Sequence, residues 1–261
     1  MDPPSPPRFS TRLHGRETLL GTVLTLPEVA LAELLAEPLD FVWIDLEHGA
    51  LDAGDVAPLA GASRAAGCAA LVRLASSDRV PAILDAGVDG VVAPRVESAA
   101  QARRLADRLR HPPRGSRGFA ARRASGYGRA AAARSSGADP LLFAQIEGAA
   151  GVEAAEEIAA VDGVDALVVG CADLALALDG TLEPASPRLR EAITQVQGAA
   201  EAAGIASGVA GPDDPGLLHE LASDRSTLLV CAADVRIYAR AVDELVERLR
   251  AREREVLRVG A

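Results

Sequence analysis

Apolar runs of four to eight residues recur along this chain, separated by longer stretches whose apolar positions repeat at helical spacing. The runs predict strands over 19–26, 40–46, 69–74, 89–94, 141–147, 165–170, 205–209 and 227–232. Between them, 55–66, 98–109, 149–160 and 188–203 predict helices. Continuous apolar strands are those of a parallel sheet buried on both faces, and eight of them, most followed by a helix, predict a (β/α)8 TIM barrel as a single domain. An open doubly wound sheet is the structural rival. It would carry a Gly-rich phosphate turn after its first strand, and the sequence has none there.

Three segments depart from the rhythm. The Pro-rich start predicts a disordered arm over residues 1–14, with the barrel domain at 15–261. Residues 110–140 are too long for an ordinary connection, and loops of that size are commonly functional or disordered. Arg122, Arg123 and Tyr127 in it could cover a barrel mouth, or belong to a solvated basic loop. The last segment, 235–259, has apolar residues at helical spacing among Glu/Arg pairs. It is long for a barrel's closing helix, which suggests packing against another subunit.

Four strands end in polar residues, and charge at the tip of a buried strand is costly unless paired or used. In Phe41-Val42-Trp43-Ile44-Asp45-Leu46-Glu47-His48, a carboxylate and an imidazole lie three residues apart. Asp45 could fix the tautomer of His48 and make it a general base near neutral pH; the bland alternative is a surface histidine. Glu47 is either an orienting group or a loop charge. Arg73 ends Leu71-Val72-Arg73, where a planar cation suits an enolate or carboxylate oxygen, or a neighbouring acid. Glu147 and Asp173 end consecutive strands, as rim neighbours. Two carboxylates without His or Cys suit Mg²⁺ or Mn²⁺, and such a site can chelate an α-keto acid; solvated acids are the alternative. Gln145, on the same side of its strand as Glu147, could hydrogen-bond a water on that metal. Gly170-Cys171-Ala172-Asp173 opens a helix whose first N–H groups can hold an anion. Asp85 and Asp89 read as helix caps or subunit contacts.

Composition narrows the chemistry. The 27 basic residues are all Arg, so a lysine Schiff base and a phosphate-loop lysine are both excluded. Carbonyl chemistry here would need a metal or fixed dipoles. A net charge of −10 argues against nucleic acid and anionic membranes as partners. Cys68, Cys171 and Cys231 are odd in number and widely spaced, as in buried thiols of a reducing compartment. With no apolar stretch of membrane length and no signal-like start, a cytoplasmic location is expected.

From Gly21 to the last helix the chain resembles the HpcH/HpaI family of metal-dependent pyruvate aldolases. The resemblance lies in I-D-L-E-H (44–48), the Arg73 strand, L-D-A-G-V-D-G-V-V-A-P-R-V (84–96), H-P-P-R-G-S-R-G (111–118), Q-I-E (145–147) and G-C-A-D-L (170–174). It implies a His48–Asp45 base dyad, Arg73 on the pyruvyl oxygen, Glu147 and Asp173 as ligands of Mg²⁺, Mn²⁺ or Co²⁺, and backbone amides of Ala172 and Asp173 on the substrate carboxylate. It also implies a homo-oligomer built as a trimer of dimers. The chain departs from the family's usual G-P-x-D-L-S-x-S-L-G in having Cys171 for proline and Ala175 and Ala177 for the serines.

The expected function is reversible cleavage of a 4-hydroxy-2-oxo acid to pyruvate, or a close 2-oxo acid, and an aldehyde. The rivals are a carbon–carbon lyase acting on a CoA thioester, for which the sequence has no adenine-nucleotide motif, and a non-catalytic keto-acid-binding homologue.

Overall fold

The computed structural model describes residues 8–129, 139–183 and 186–259. Eight parallel strands close into a barrel in chain order: β1 (Leu19–Leu24), β2 (Phe41–Asp45), β3 (Ala69–Arg73), β4 (Gly90–Ala93), β5 (Leu141–Ile146), β6 (Ala166–Gly170), β7 (Ala206–Gly211) and β8 (Leu228–Ala233). The principal helices around it are α1 (Phe9–His14), α2 (Val29–Ala36), α3 (Val56–Ala65), α4 (Val80–Asp85), α5 (Ala99–Leu109), α6 (Ala149–Glu153), α7 (Ala155–Ala159), α8 (Cys171–Asp179), α9 (Pro187–Ala203), α10 (Pro215–Ala222) and α11 (Asp234–Val259). The expected barrel is the observed one. The helix expected over 149–160 is broken into α6 and α7 at Ala154.

Side chains alternate along each strand. Val42, Ile44, Val72, Leu142 and Val169 face the helices, whereas Phe41, Trp43, Leu71, Val92, Phe143 and Val168 fill the barrel interior. Both sets are buried, so the runs show no polar alternation in sequence. Two residues on from Trp43, Leu71, Phe143 and Val168 come Asp45, Arg73, Gln145 and Gly170. The period of two therefore carries these four to the inner side at the C-terminal mouth, the face at which barrel enzymes build their sites.

The opposite end is tied down by acids at the starts of even strands. Asp40, Asp89 and Asp165 each accept the backbone N–H of a residue in the preceding strand, Leu20, Ala70 and Leu142, at 2.8–2.9 Å. Here the expectation of a disordered arm to residue 14 needs correction. Residues 1–7 lie outside the described residues, but Phe9–His14 form α1. Leu13 is fully buried with the interior cluster, and Phe9 packs on Phe41 with ring centroids 5.6 Å apart. The i, i+4 spacing of Phe9 and Leu13 gives the helix one apolar face, which plugs the barrel bottom. Arg12 holds it there through Asp40 at 2.6 Å.

The described part of the long 110–140 connection also lies at this end, between α5 and β5. Arg117 pairs with Asp85 at 3.2 Å, and the Arg123 side chain runs beside Gly87 and Gly61 in the helical layer. Arg122 and Tyr127 are exposed. The described part therefore does not cover the chain's own mouth; residues 130–138 lie outside the described residues. At the other end of the chain, Asp234 is buried and accepts from the backbone N–H of Thr25 and Leu26 and the Thr25 hydroxyl, which locks the start of α11 across β1. Beyond it α11 presents Val235, Tyr238, Val242, Leu245, Val246 and Leu249 to solvent. No helix among the described residues is long and apolar enough to cross a membrane.

Candidate active site

Asp45 and Arg73 are register partners on β2 and β3, and their side chains meet at the barrel mouth. Arg73 Nε donates to Asp45 Oδ1 at 2.9 Å and Nη2 to Oδ2 at 2.6 Å, a bidentate pair. Asp45 is 1% and Arg73 11% exposed. Burial alone would push the Asp45 carboxyl up, but the Arg73 hydrogen bonds and charge, with the backbone N–H groups of Glu47 and His48, hold it below the usual range. The turn that supplies those N–H groups closes on Gly49, where a Cβ would stand 2.5 Å from the Asp45 carbonyl oxygen.

The expected Asp45–His48 pairing is not the contact the structure makes. Asp45 accepts from the backbone of His48 at 3.4 Å, and its carboxylate is taken by Arg73. The His48 ring is about half exposed and faces Glu47, with Nε2 3.7 Å from Oε2. That Glu47 oxygen is buried without a hydrogen-bond donor and lies 3.5 Å from Arg73 Nε. Glu47, left open between two roles by the sequence, is thus the carboxylate between His48 and Arg73. The spacing D-x-E-H cannot tell which acid faces the ring, because the turn after β2 decides it.

Glu147 follows β5 and is buried; its Oε2 accepts the backbone N–H of Arg95 at 3.0 Å. Burial first, then the nearby Asp173 carboxylate, push its carboxyl up to about 7, with the Arg95 N–H acting the other way. Asp173 lies half-buried in the first turn of α8, where helical N–H groups, those of Ala172 and Asp173 among them, have no partner within the helix. Gln145 is buried and its Oε1 has no hydrogen-bond donor. Gly170 makes room for this cluster: a Cβ there would lie 2.7 Å from Glu147 Oε1 and 2.8 Å from Gln145 Nε2.

Among the described residues, no three His, Cys, Asp or Glu side chains gather as a metal cluster. Glu147 and Asp173 with an unsatisfied amide oxygen nevertheless fit a hard cation that takes few protein ligands and completes its shell with water or substrate oxygens. Arg95, beside Glu147 and with Nη2 3.8 Å from Glu47 Oε1, is a site neighbour that sequence reasoning passed over. In the sequence it stands within the family-like run 84–96, two residues past the end of β4, with no role marked by its spacing.

All these residues fall within the segment 27–215 that matches the model of the HpcH/HpaI aldolase/citrate lyase family. The chain belongs to that family. A hydroxypyruvate/pyruvate aldolase of Paraburkholderia phytofirmans is 36% identical over 93% of this chain and 97% of its own length. A 4-hydroxy-2-oxovalerate aldolase of Novosphingobium aromaticivorans is 38% identical over 77% of each chain. Among solved structures, an HpcH/HpaI aldolase/citrate lyase family protein from Burkholderia cenocepacia superposes with a TM-score of 0.85 at 32% identity, covering 92% of this chain and 98% of the other. This HpcH/HpaI chain is an enzyme of the carbon–carbon lyase class.

The raised Glu147 carboxyl makes a prediction for chelator-treated protein. Folded, the group titrates near 7; unfolded, near 4.5, so the folded chain binds the extra proton between those values. Stability contributed by the neutral acid is then lost as pH rises through that window, by up to about 3 kcal/mol. Glu147→Gln should raise the thermal midpoint more at pH 8 than at pH 5. An equal shift at both would mean that Glu147 is not held near neutral.

Proposed function

We propose that this HpcH/HpaI enzyme is a divalent-cation-dependent aldolase that reversibly cleaves a 4-hydroxy-2-oxo acid to pyruvate, or a close 2-oxo acid, and an aldehyde. The observation that carries the reading is the cluster of Glu147, Asp173 and the unsatisfied Gln145 Oε1, set beside the Arg73–Asp45 pair. The names of the relatives above agree with that reaction.

Glu147 and Asp173 would hold Mg²⁺, Mn²⁺ or Co²⁺. When bound, such a cation supplies Lewis-acid polarisation of the keto oxygen. The chain's own groups do the rest. Ala172 and Asp173 offer backbone N–H groups at the start of α8 to the substrate carboxylate. Arg73 keeps Nη1 for the pyruvyl oxygen while Nε and Nη2 hold Asp45, so that its plane is fixed before substrate arrives. His48 takes the C4 hydroxyl proton as the C3–C4 bond breaks, and the Glu47 carboxylate at 3.7 Å stabilises the imidazolium that forms. Negative charge appearing on the pyruvyl oxygen is met by a preorganised guanidinium and not by a covalent amine, which a lysine-free chain cannot offer.

Chelation should abolish pyruvate-forming cleavage of a 4-hydroxy-2-oxo acid, and Mg²⁺, Mn²⁺ or Co²⁺ should restore it. Full turnover by chelator-treated enzyme would remove the cation from the account.

We further propose a cytoplasmic homo-oligomer, a trimer of dimers, with the apolar stripe of α11 as part of its interface. Exposed Tyr238, Leu245 and Leu249 on a single helix face support it, as large apolar side chains seldom line up in water. The thiols of Cys68 and Cys171, buried and pushed up to about 12, are inert and suit a reducing compartment. Leu245→Glu with Leu249→Glu should lower the mass seen by light scattering while circular dichroism keeps the barrel signature. An unchanged mass would exclude α11 from the interface.

A further inference from the structure

Arg95 stands just past β4 in a left-handed backbone conformation, φ +51°, which residues other than glycine seldom adopt. Two contacts hold it there. Its N–H donates to Glu147 Oε2 at 3.0 Å, and its carbonyl accepts from Gln101 Nε2 at 3.1 Å. Because β4 lies between β3 and β5 in the barrel, this fixes Arg95 on the rim between Arg73 and Glu147.

The two arginines differ in what their guanidinium groups do. That of Arg73 is nearly buried and turned onto Asp45. That of Arg95 is 64% exposed, and its 3.8 Å approach to Glu47 Oε1 is too long for a hydrogen bond. Glu47 presents its other oxygen to His48. The imidazole and the Arg95 guanidinium therefore flank one carboxylate. In the proposed reaction His48 acts on the hydroxyl of the carbon that becomes the aldehyde, so substituents on that carbon lie within reach of a side chain as long as arginine.

Electrostatics gives that side chain a task. Asp45, Glu47, Glu147 and Asp173 crowd the mouth with carboxylates, which repel an anionic aldehyde unless a cation faces it. Asp45 already absorbs Arg73. An exposed guanidinium with undonated N–H groups can meet a carboxylate or phosphate with two hydrogen bonds.

We propose that Arg95 is a specificity-determining residue that selects aldehyde partners bearing an anionic group beyond the reacting carbonyl. The proposal rests on the aldolase reading above. The test measures kcat/KM for aldol addition of pyruvate to two pairs of aldehydes, glyoxylate against glycolaldehyde and glyceraldehyde 3-phosphate against glyceraldehyde. Wild type and Arg95→Gln are compared, and Arg95→Lys serves as the charge-conserving variant. The ratio of anionic to neutral partner should fall about 10- to 100-fold in Arg95→Gln, the effect of losing one charge-assisted hydrogen bond, with partial recovery in Arg95→Lys. A fall confined to glyoxylate assigns a nearby carboxylate, and one confined to the phosphate pair a more distant anion. Equal losses for both members of each pair would overturn the proposal by showing that Arg95 only supports Glu147. An unchanged ratio would overturn it as well. Wild-type enzyme that joins pyruvate to none of the four aldehydes would defeat the aldolase reading, and this proposal with it.

Discussion

The bidentate pair between Arg73 and Asp45 is the constraint around which the barrel mouth is arranged. Each residue is the last of its strand, the strands are register partners, and neither charge has much access to water. Either one alone would be an uncompensated buried charge, an arrangement that costs several kcal/mol. Together they cross-link β2 and β3 at the C-terminal edge of the barrel, the face at which barrel enzymes build their sites. The pair also decides what its neighbours can do. With Asp45 committed, Glu47 is the carboxylate left to face His48, and with two of its nitrogens committed, Arg73 presents a fixed plane to the mouth.

On the far side of the mouth the problem is reversed. Glu147 is buried beside another acid with a single backbone donor on Oε2, and its carboxyl sits near neutral. Gly170 permits that crowding by having no side chain, so that the Glu147 and Gln145 head groups occupy the space a Cβ would take. One wall thus holds a charge pair that is already satisfied, and the other holds acceptors that are not. The acceptors on that wall lack positive charge and hydrogen-bond donors, which is the need the proposed cation would meet.

The barrel was legible in the sequence because buried parallel strands leave uninterrupted apolar runs, and each predicted strand falls within two residues of its observed bounds. The place of Asp45 and Arg73 at strand ends, and the shared side of Gln145 and Glu147, were legible with it. What escaped depended on contacts remote in sequence. The pairing of Asp45 with Arg73 instead of His48 spans 28 positions. The role of α1 required Phe41, a partner no local pattern names, and a Pro-rich leader concealed its two apolar residues. Arg122, Arg123 and Tyr127 could have covered the mouth or belonged to a solvated loop, and the described part of their connection lies at the opposite end of the barrel. Arg95 stood inside the family-like run 84–96 without a role, because its backbone conformation and its contact with Glu147 are invisible in sequence.

The central claim is that these strand ends form an enolising site for a 2-oxo acid, and the most direct measurement needs no aldehyde. Pyruvate is incubated in deuterium oxide with the Mg²⁺-loaded enzyme, and loss of the methyl proton signal is followed by nuclear magnetic resonance. The account predicts protein-dependent exchange that disappears on chelation and in Glu147→Gln. Exchange at full rate without the cation, or none from the loaded wild-type enzyme, would contradict it.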